Sequence, residues 1–286
     1  VAELTLERSP EARALAEQAL VGLLHGLDGA DVEIIVLGGL VPEILTKGQE
    51  PPVPGHLGTT DVDMLLMAHV TPELNLSPVE SSLIKLGFAA ESDGWRWRGR
   101  VRGRTMKIEF LCDLDSAREH EVMRPAGCDR LAAQNLRGTG YVARDWAWET
   151  ITAPLPDGRV VSVRARFARL GGYLLSKCSA ARTRGAEKDF YDLAYVLLHN
   201  RAGGPREAAD GLATGSLRDA IVAMRSTLLE VGERFRVPNA VGPVSYATQA
   251  RLLDPEFDEA ELRADAVAAV AEFLERLDAK TGFRGD

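Results

Sequence analysis

Thr59-Thr60-Asp61-Val62-Asp63-Met64-Leu65-Leu66 is the stretch on which the fold turns. Successive strand residues point to opposite faces, so Asp61 and Asp63 aim together while Val62 and Met64 face the core. Paired carboxylates repel unless a cation compensates them, and Mg²⁺ prefers a few carboxylate oxygens together with substrate phosphate oxygens. Asp-x-Asp therefore reads as a metal-binding strand end, or as a solvated strand end with two surface acids. Upstream, Val32, Ile34, Ile35, Val36 and Leu37 form a β-branched run that stops at Gly38-Gly39, before a short helix expected at 40–47. A glycine turn at a helix start lets the backbone and its N–H groups approach a phosphate. Residues 48–58 hold three prolines and three glycines, which excludes a helix or a central strand and leaves a long loop.

Working outward, Ser9-Pro10 caps a first helix with leucines at 15, 20, 23, 24 and 27, followed by an Asp28-Gly29 turn. Ser77-Pro78-Val79-Glu80 has a capping-box pattern for a helix ending near Gly87. Trp95–Val101 and Thr105–Leu111 read as strands joined around Gly103. On the second of these, alternation puts Glu109 opposite the apolar residues, either as a third carboxylate of the metal set or as a cross-strand partner for an arginine. Leu155-Pro156-Asp157-Gly158-Arg159 resembles a hairpin connection between Ile151–Ala153 and Val160–Val163. From about residue 166 the spacing becomes helical, through Leu170–Ala181, Lys188–Leu198, Leu217–Phe235 and a helix capped by Asp258. The expected class is α+β, with a mixed or antiparallel sheet in an α/β domain over 1–165 and a mainly helical domain over 166–286.

The 286 residues are 45% apolar and 27% charged, a globular composition. No apolar run reaches membrane-spanning length, and the start at Val1-Ala2-Glu3-Leu4 lacks a secretory signal's basic and apolar segments, so no membrane partner and a cytoplasmic location are expected. Cys112, Cys128 and Cys178 are odd in number and widely spaced, which argues for buried thiols rather than a disulfide framework. The net charge of −8 disfavours indiscriminate nucleic-acid binding. A local exception is the ladder Arg96, Arg98, Arg100, Arg102 and Arg104: on one continuous strand all five would share a face fit for an RNA backbone, or they guard a solvated strand edge. The five histidines show no metal-ligand spacing, and His56 reads as a loop residue.

The order of a strand ending in Gly-Gly, Asp-x-Asp on the next strand and a later carboxylate resembles the nucleotidyltransferase superfamily. The segment Leu174–Leu193, with Lys177, Lys188, Asp189 and Asp192, is similar to the Lys/Arg-Asp-x-x-Asp-Leu helical motif of the AbiEii toxin group, which includes the MenT toxins of type IV toxin–antitoxin systems. It departs at Gly39, where Gly-Ser is often seen, and in the long gap before Asp61. The resemblance implies a nucleotidyltransferase-like fold and Mg²⁺ or Mn²⁺ on Asp61, Asp63 and Glu109. It implies a nucleoside triphosphate held by Gly38, Gly39, Thr59, Thr60, Lys177 and Lys188, with Lys177, Asp189 and Asp192 joining the two aspartates in catalysis. It further implies a tRNA 3′ end as acceptor, growth inhibition, and an antitoxin partner, perhaps a kinase acting on Thr59 or Thr60. On residue chemistry alone, Lys177 offers a compact charge for a triphosphate, whereas Lys188 and Asp192, four apart, also suit an ordinary surface pair. The alternatives are a small-molecule nucleotidyltransferase of the aminoglycoside-modifying kind and a non-catalytic nucleotide-binding module.

Overall fold

The structure, a computed structural model, describes residues 7–27, 30, 32–48, 53–67 and 76–285. The Asp28-Gly29 turn, the Val1–Leu4 start and the Pro51-Pro52 part of the loop lie outside the described residues. The chain is α+β and divides into two compact units, Val1–Val41 with Gly58–Ala168, and Pro42–Leu57 with Arg169–Asp286. The sequence cut at 165 thus falls inside a strand that runs to Ala168, and the segment 42–57, assigned from sequence to the first domain, belongs to the second unit.

In the first unit, helix α1 (Pro10–His25) begins as its sequence dictates, with Ser9 Oγ accepting the Ala12 N–H at 3.0 Å. Strand β1 (Ile34–Leu37) ends in a 3₁₀ turn, Gly38–Leu40, which leads into α2 (Val41–Thr46). The chain returns at Gly58 and enters β2 (Asp61–Leu66). Helix α3 (Ser77–Lys85) departs from the capping-box expectation: Leu76 is the cap residue and no side chain caps the helix. Glu80 turns instead to the backbone N–H groups of Arg130 and Leu131, at 3.0 and 2.8 Å, so a buried carboxylate finds its donors in a neighbouring loop.

The remaining strands are β3 (Ala89–Ala90), β4 (Arg96–Val101), β5 (Arg104–Cys112), β6 (Val122–Met123), β7 (Ala133–Asn135), β8 (Trp146–Pro154) and β9 (Val160–Ala168). They complete a nine-stranded mixed sheet with the order β3-β4-β5-β2-β1-β9-β8, to which β7 adds beside β5 and β6 beside β7. β2 runs antiparallel to β1 and parallel to β5. Apolar residues pack on one face, where Val36, Met64 and Phe110 lie in register across three strands, as do Val62, Ile108 and Trp97, all buried; at Ile35 and Leu65 the opposite face is buried as well. Burying such side chains contributes roughly 1.5–3 kcal/mol each, which fixes the register and delivers every alternate residue to the opposite face.

The hairpin between β4 and β5 corrects the arginine ladder. Val101 pairs with Arg104, and Arg102 and Gly103 both take positive φ (48° and 77°), the two-residue turn that matches strand twist. Only Arg96, Arg98 and Arg100 therefore share a face; Arg102 is in the turn and Arg104 has the opposite parity.

The second unit is helical: α4 (Leu170–Thr183), α5 (Glu187–His199), α6 (Pro205–Thr214), α7 (Arg218–Ala223), α8 (Arg225–Arg234), α9 (Val241–Ala250) and α10 (Glu259–Thr281). The helix expected over 217–235 breaks at Met224 into α7 and α8, and α6 and α9 are additional. Asp258 caps α10, accepting from Ala260 N and Glu261 N at 2.8 and 3.2 Å. Phe190, Leu193, Val196 and Leu197 are buried core, as their helical spacing predicts. No described helix is long and apolar enough to cross a membrane.

Candidate metal centre and a buried ionic cluster

Parallel pairing of β2 with β5 sets Asp61 beside Lys107 and Asp63 beside Glu109. The result is a triad of half-buried carboxylates, Asp61, Asp63 and Glu109, each offering an oxygen within 4.8 Å of the others. Three hard oxygen donors in that space suit Mg²⁺ or Mn²⁺ and do not suit soft-ligand metals.

Three features hold the triad. Arg96, opposite Glu109 on β4, donates from Nε to Glu109 Oε1 at 2.6 Å, and its guanidinium lies 4.3 Å from the Trp95 ring centre. Both readings of Glu109 thus meet in one residue: it is an arginine's cross-strand partner and a member of the acid cluster. Thr59, buried in the approach to β2, donates its hydroxyl to Asp61 Oδ1 at 2.6 Å. The Gly38-Gly39 turn is shaped by the same side chains. Gly38 has φ +73°, and a Cβ there would lie 1.9 Å from Asp63 Oδ2; a Cβ at Gly39 would lie 2.4 Å from Thr59 Oγ1. The absence of a hydroxyl at position 39 is thereby explained: Thr59 fills the space with its own. Thr60 is half-buried next to it.

The second group of expected residues converges inside the second unit. Lys177 on α4 reaches Asp189 Oδ1 at 3.2 Å and Asp192 Oδ2 at 2.7 Å, both on α5, with all three side chains buried. Asp189 Oδ1 also pairs with Arg184 at 2.8 Å, while Asp189 Oδ2 is buried without a hydrogen-bond partner among the described residues. Asp192 is turned inward rather than being half of a surface pair; Lys188 is half-buried on the same helix. Buried charges of this kind cost several kcal/mol each to desolvate and persist only when paired.

Two members of this cluster were not legible. His56, read as a loop residue, is 0% exposed and bonds through Nε2 to Asp192 Oδ1 at 3.0 Å. Its ring sits 5.2 and 4.9 Å from those of Tyr191 and Tyr195. The loop carrying it is anchored the same way, by Leu57 N donating to Tyr191 Oη at 2.9 Å and Tyr195 Oη donating to Pro54 O at 2.7 Å. No local pattern announces a partner 136 positions away. Arg184 lies in the quoted motif, and its place just before Gly185, at φ +60° in the turn between α4 and α5, was the available signal.

The cysteines are chemically quiet. Burial pushes the Cys112 thiol up to about 12, with Asp113 adding to the shift. Burial likewise raises Cys178 to about 12 and Cys128 to about 11. All three are free and buried. Comparison with protein-family models, with curated proteins and with solved structures finds no match to this chain.

Proposed function

We propose that this chain is a metal-dependent nucleotidyltransferase that moves a nucleotide from a nucleoside triphosphate to an RNA acceptor in the cytoplasm, the tRNA 3′ end being the acceptor the resemblance implies, and so acts as a growth-inhibiting toxin. The observation that carries this reading is the convergence of Asp61, Asp63 and Glu109 beside a glycine turn that has no room for any other side chain. A divalent cation held by these carboxylates would neutralise charge on the triphosphate as the acceptor hydroxyl attacks the α-phosphorus and pyrophosphate leaves in line.

The chain's own residues do the positioning. Thr59 fixes one oxygen of Asp61, and Arg96 fixes one of Glu109. The N–H groups following Gly38 and Gly39 suit a phosphate oxygen. Within the second unit Lys177 is held by Asp189 and Asp192, and Asp192 in turn by His56; a triphosphate contact for Lys177 and Lys188 is what the resemblance implies.

Incubation with Mg²⁺, each α-labelled nucleoside triphosphate and either total tRNA or aminoglycosides tests the reading. Label on RNA with the unmutated protein, and none with Asp61→Ala or Asp63→Ala, is the expected result. Label on the aminoglycoside moves the protein to the small-molecule class, and nucleotide binding without transfer makes it a regulatory module. A kinase-type antitoxin has Thr60 as its more accessible target, since Thr59 is buried against Asp61. An unmodified Thr59–Thr60 peptide after co-expression with the neighbouring gene product removes that part of the proposal.

A further inference from the structure

The β8–β9 hairpin at one edge of the sheet carries an arrangement that the triad does not use. Trp148 is 46% exposed, on the outermost strand. Its ring meets that of Trp146 edge-on at 5.8 Å. The guanidinium groups of Arg164 and Arg166 lie 5.0 and 4.8 Å from the Trp148 ring centre, and Arg166 lies 5.1 Å from that of Trp146. Register explains the grouping, since Trp148 pairs with Arg166 and Thr150 with Arg164, which puts all of them on one face.

Two observations set this surface apart. In a chain with 42 acids and 34 bases, neither Arg164 nor Arg166 has a carboxylate partner among the described residues. Arg166 donates to the Val32 carbonyl at 3.3 Å, and its Nε is buried without a hydrogen-bond partner among the described residues. Arg96 and Arg98, by contrast, are already neutralised by Glu109 and Glu91. Secondly, register puts these residues on the face that carries the triad: Arg166 pairs with Ile35, Ile35 with Leu65, and Asp63 is the next residue of that face on β2, Ile35 and Leu65 between them being buried. Two strand spacings, about 10 Å, separate the arginine's strand from the aspartate's.

We infer that the Trp148–Arg164–Arg166 surface is a stacking platform for a single-stranded stretch of RNA, lying on the sheet face that carries the metal centre. An exposed indole offers a base a stacking partner, and acid-free guanidinium groups offer phosphates a countercharge. The choice of partner rests on the proposed RNA-directed reading, but the test does not. It also transfers the RNA contact from the β4–β5 ladder, where two of the three arginines sharing a face are occupied, to the β8–β9 edge.

Fluorescence anisotropy of a labelled single-stranded RNA, with the full chain and without nucleotide or metal, reads the platform directly. Loss of one stacked base is worth about 1–3 kcal/mol, so Trp148→Ala is expected to weaken binding roughly tenfold or more. Arg164→Ala is expected to reduce the log–log salt slope by about 0.7, the value for one phosphate of a single strand. Both side chains are exposed, so the variants should melt with the wild type. Unchanged affinity in Trp148→Ala overturns the inference. So does equal binding of a duplex of the same length, or an acidic peptide that binds through Trp148 in place of RNA. Trp148-dependent binding without any nucleotide transfer leaves the platform standing and removes the nucleotidyltransferase reading instead.

Discussion

Replacing Gly38 by alanine separates a backbone effect from a side-chain collision at the metal centre. The residue has φ +73°, where a Cβ costs roughly 1 kcal/mol or slightly more. That Cβ would also stand 1.9 Å from Asp63 Oδ2, 2.7 Å from its Cγ and 2.9 Å from its Cβ, so the carboxylate must retreat by about 1.5 Å to reach ordinary contact. Such a shift in a metal ligand is several times the tolerance of a well-formed site, about 0.2 Å in bond length. Gly103 supplies the control: its φ is +77°, yet nothing lies within 4 Å of a Cβ there. Gly103→Ala is expected to lose about 1 kcal/mol, a fall in Tm of roughly 2–4 °C, and Gly38→Ala more than that, because the Asp63 collision adds to the same backbone cost. Only Gly38→Ala should also weaken Mn²⁺ binding, measured calorimetrically, by tenfold or more. Equal Mn²⁺ affinity in the wild type and Gly38→Ala would refute the claim that the glycine exists to seat Asp63.

Removing one member of the buried ionic cluster should be costly, because it strands opposite charges. Lys177→Met leaves Asp189 and Asp192 buried and is expected to lose about 3–5 kcal/mol in urea denaturation, whereas Lys177→Met with Asp189→Asn and Asp192→Asn should regain much of that loss. His199 gives a pH dependence. Burial holds it down at about 4, below an unfolded value near 6.5, so the folded state binds fewer protons. Its contribution is complete above about pH 6.5 and is lost as pH falls toward 4, up to about 3 kcal/mol. His199→Phe should flatten the stability profile in that window, and an unchanged slope would contradict the assignment. The three thiols should resist iodoacetamide in the native protein at pH 8 and react on unfolding, as read by intact mass.

The alternation at Asp61–Leu66, the Gly-Gly stop, the Asp157-Gly158 hairpin and the Ser9 and Asp258 caps were legible because each is a local rule with a short range. Glu80 was misread because a capping box is a local prediction, and tertiary donors at Arg130 and Leu131 won. The arginine ladder failed at Arg102-Gly103, where a two-residue turn reverses the chain and flips the parity of Arg104. His56 was invisible for a deeper reason. Its partners lie on α5, and nothing in a Pro/Gly-rich loop states which helix will receive it. The triad itself was legible only as a face: alternation predicts that Glu109 points away from the core, but the parallel pairing that sets it beside Asp63 is a property of the folded sheet.

The most direct test of the central claim is the mass of the tRNA 3′-terminal fragment after incubation with the protein, Mg²⁺ and nucleoside triphosphates. The wild type should add whole nucleoside-monophosphate units, releasing one pyrophosphate for each, and Asp63→Asn with a wild-type melting temperature should add none. An unchanged fragment with the wild type, or the same addition by Asp63→Asn, contradicts the account.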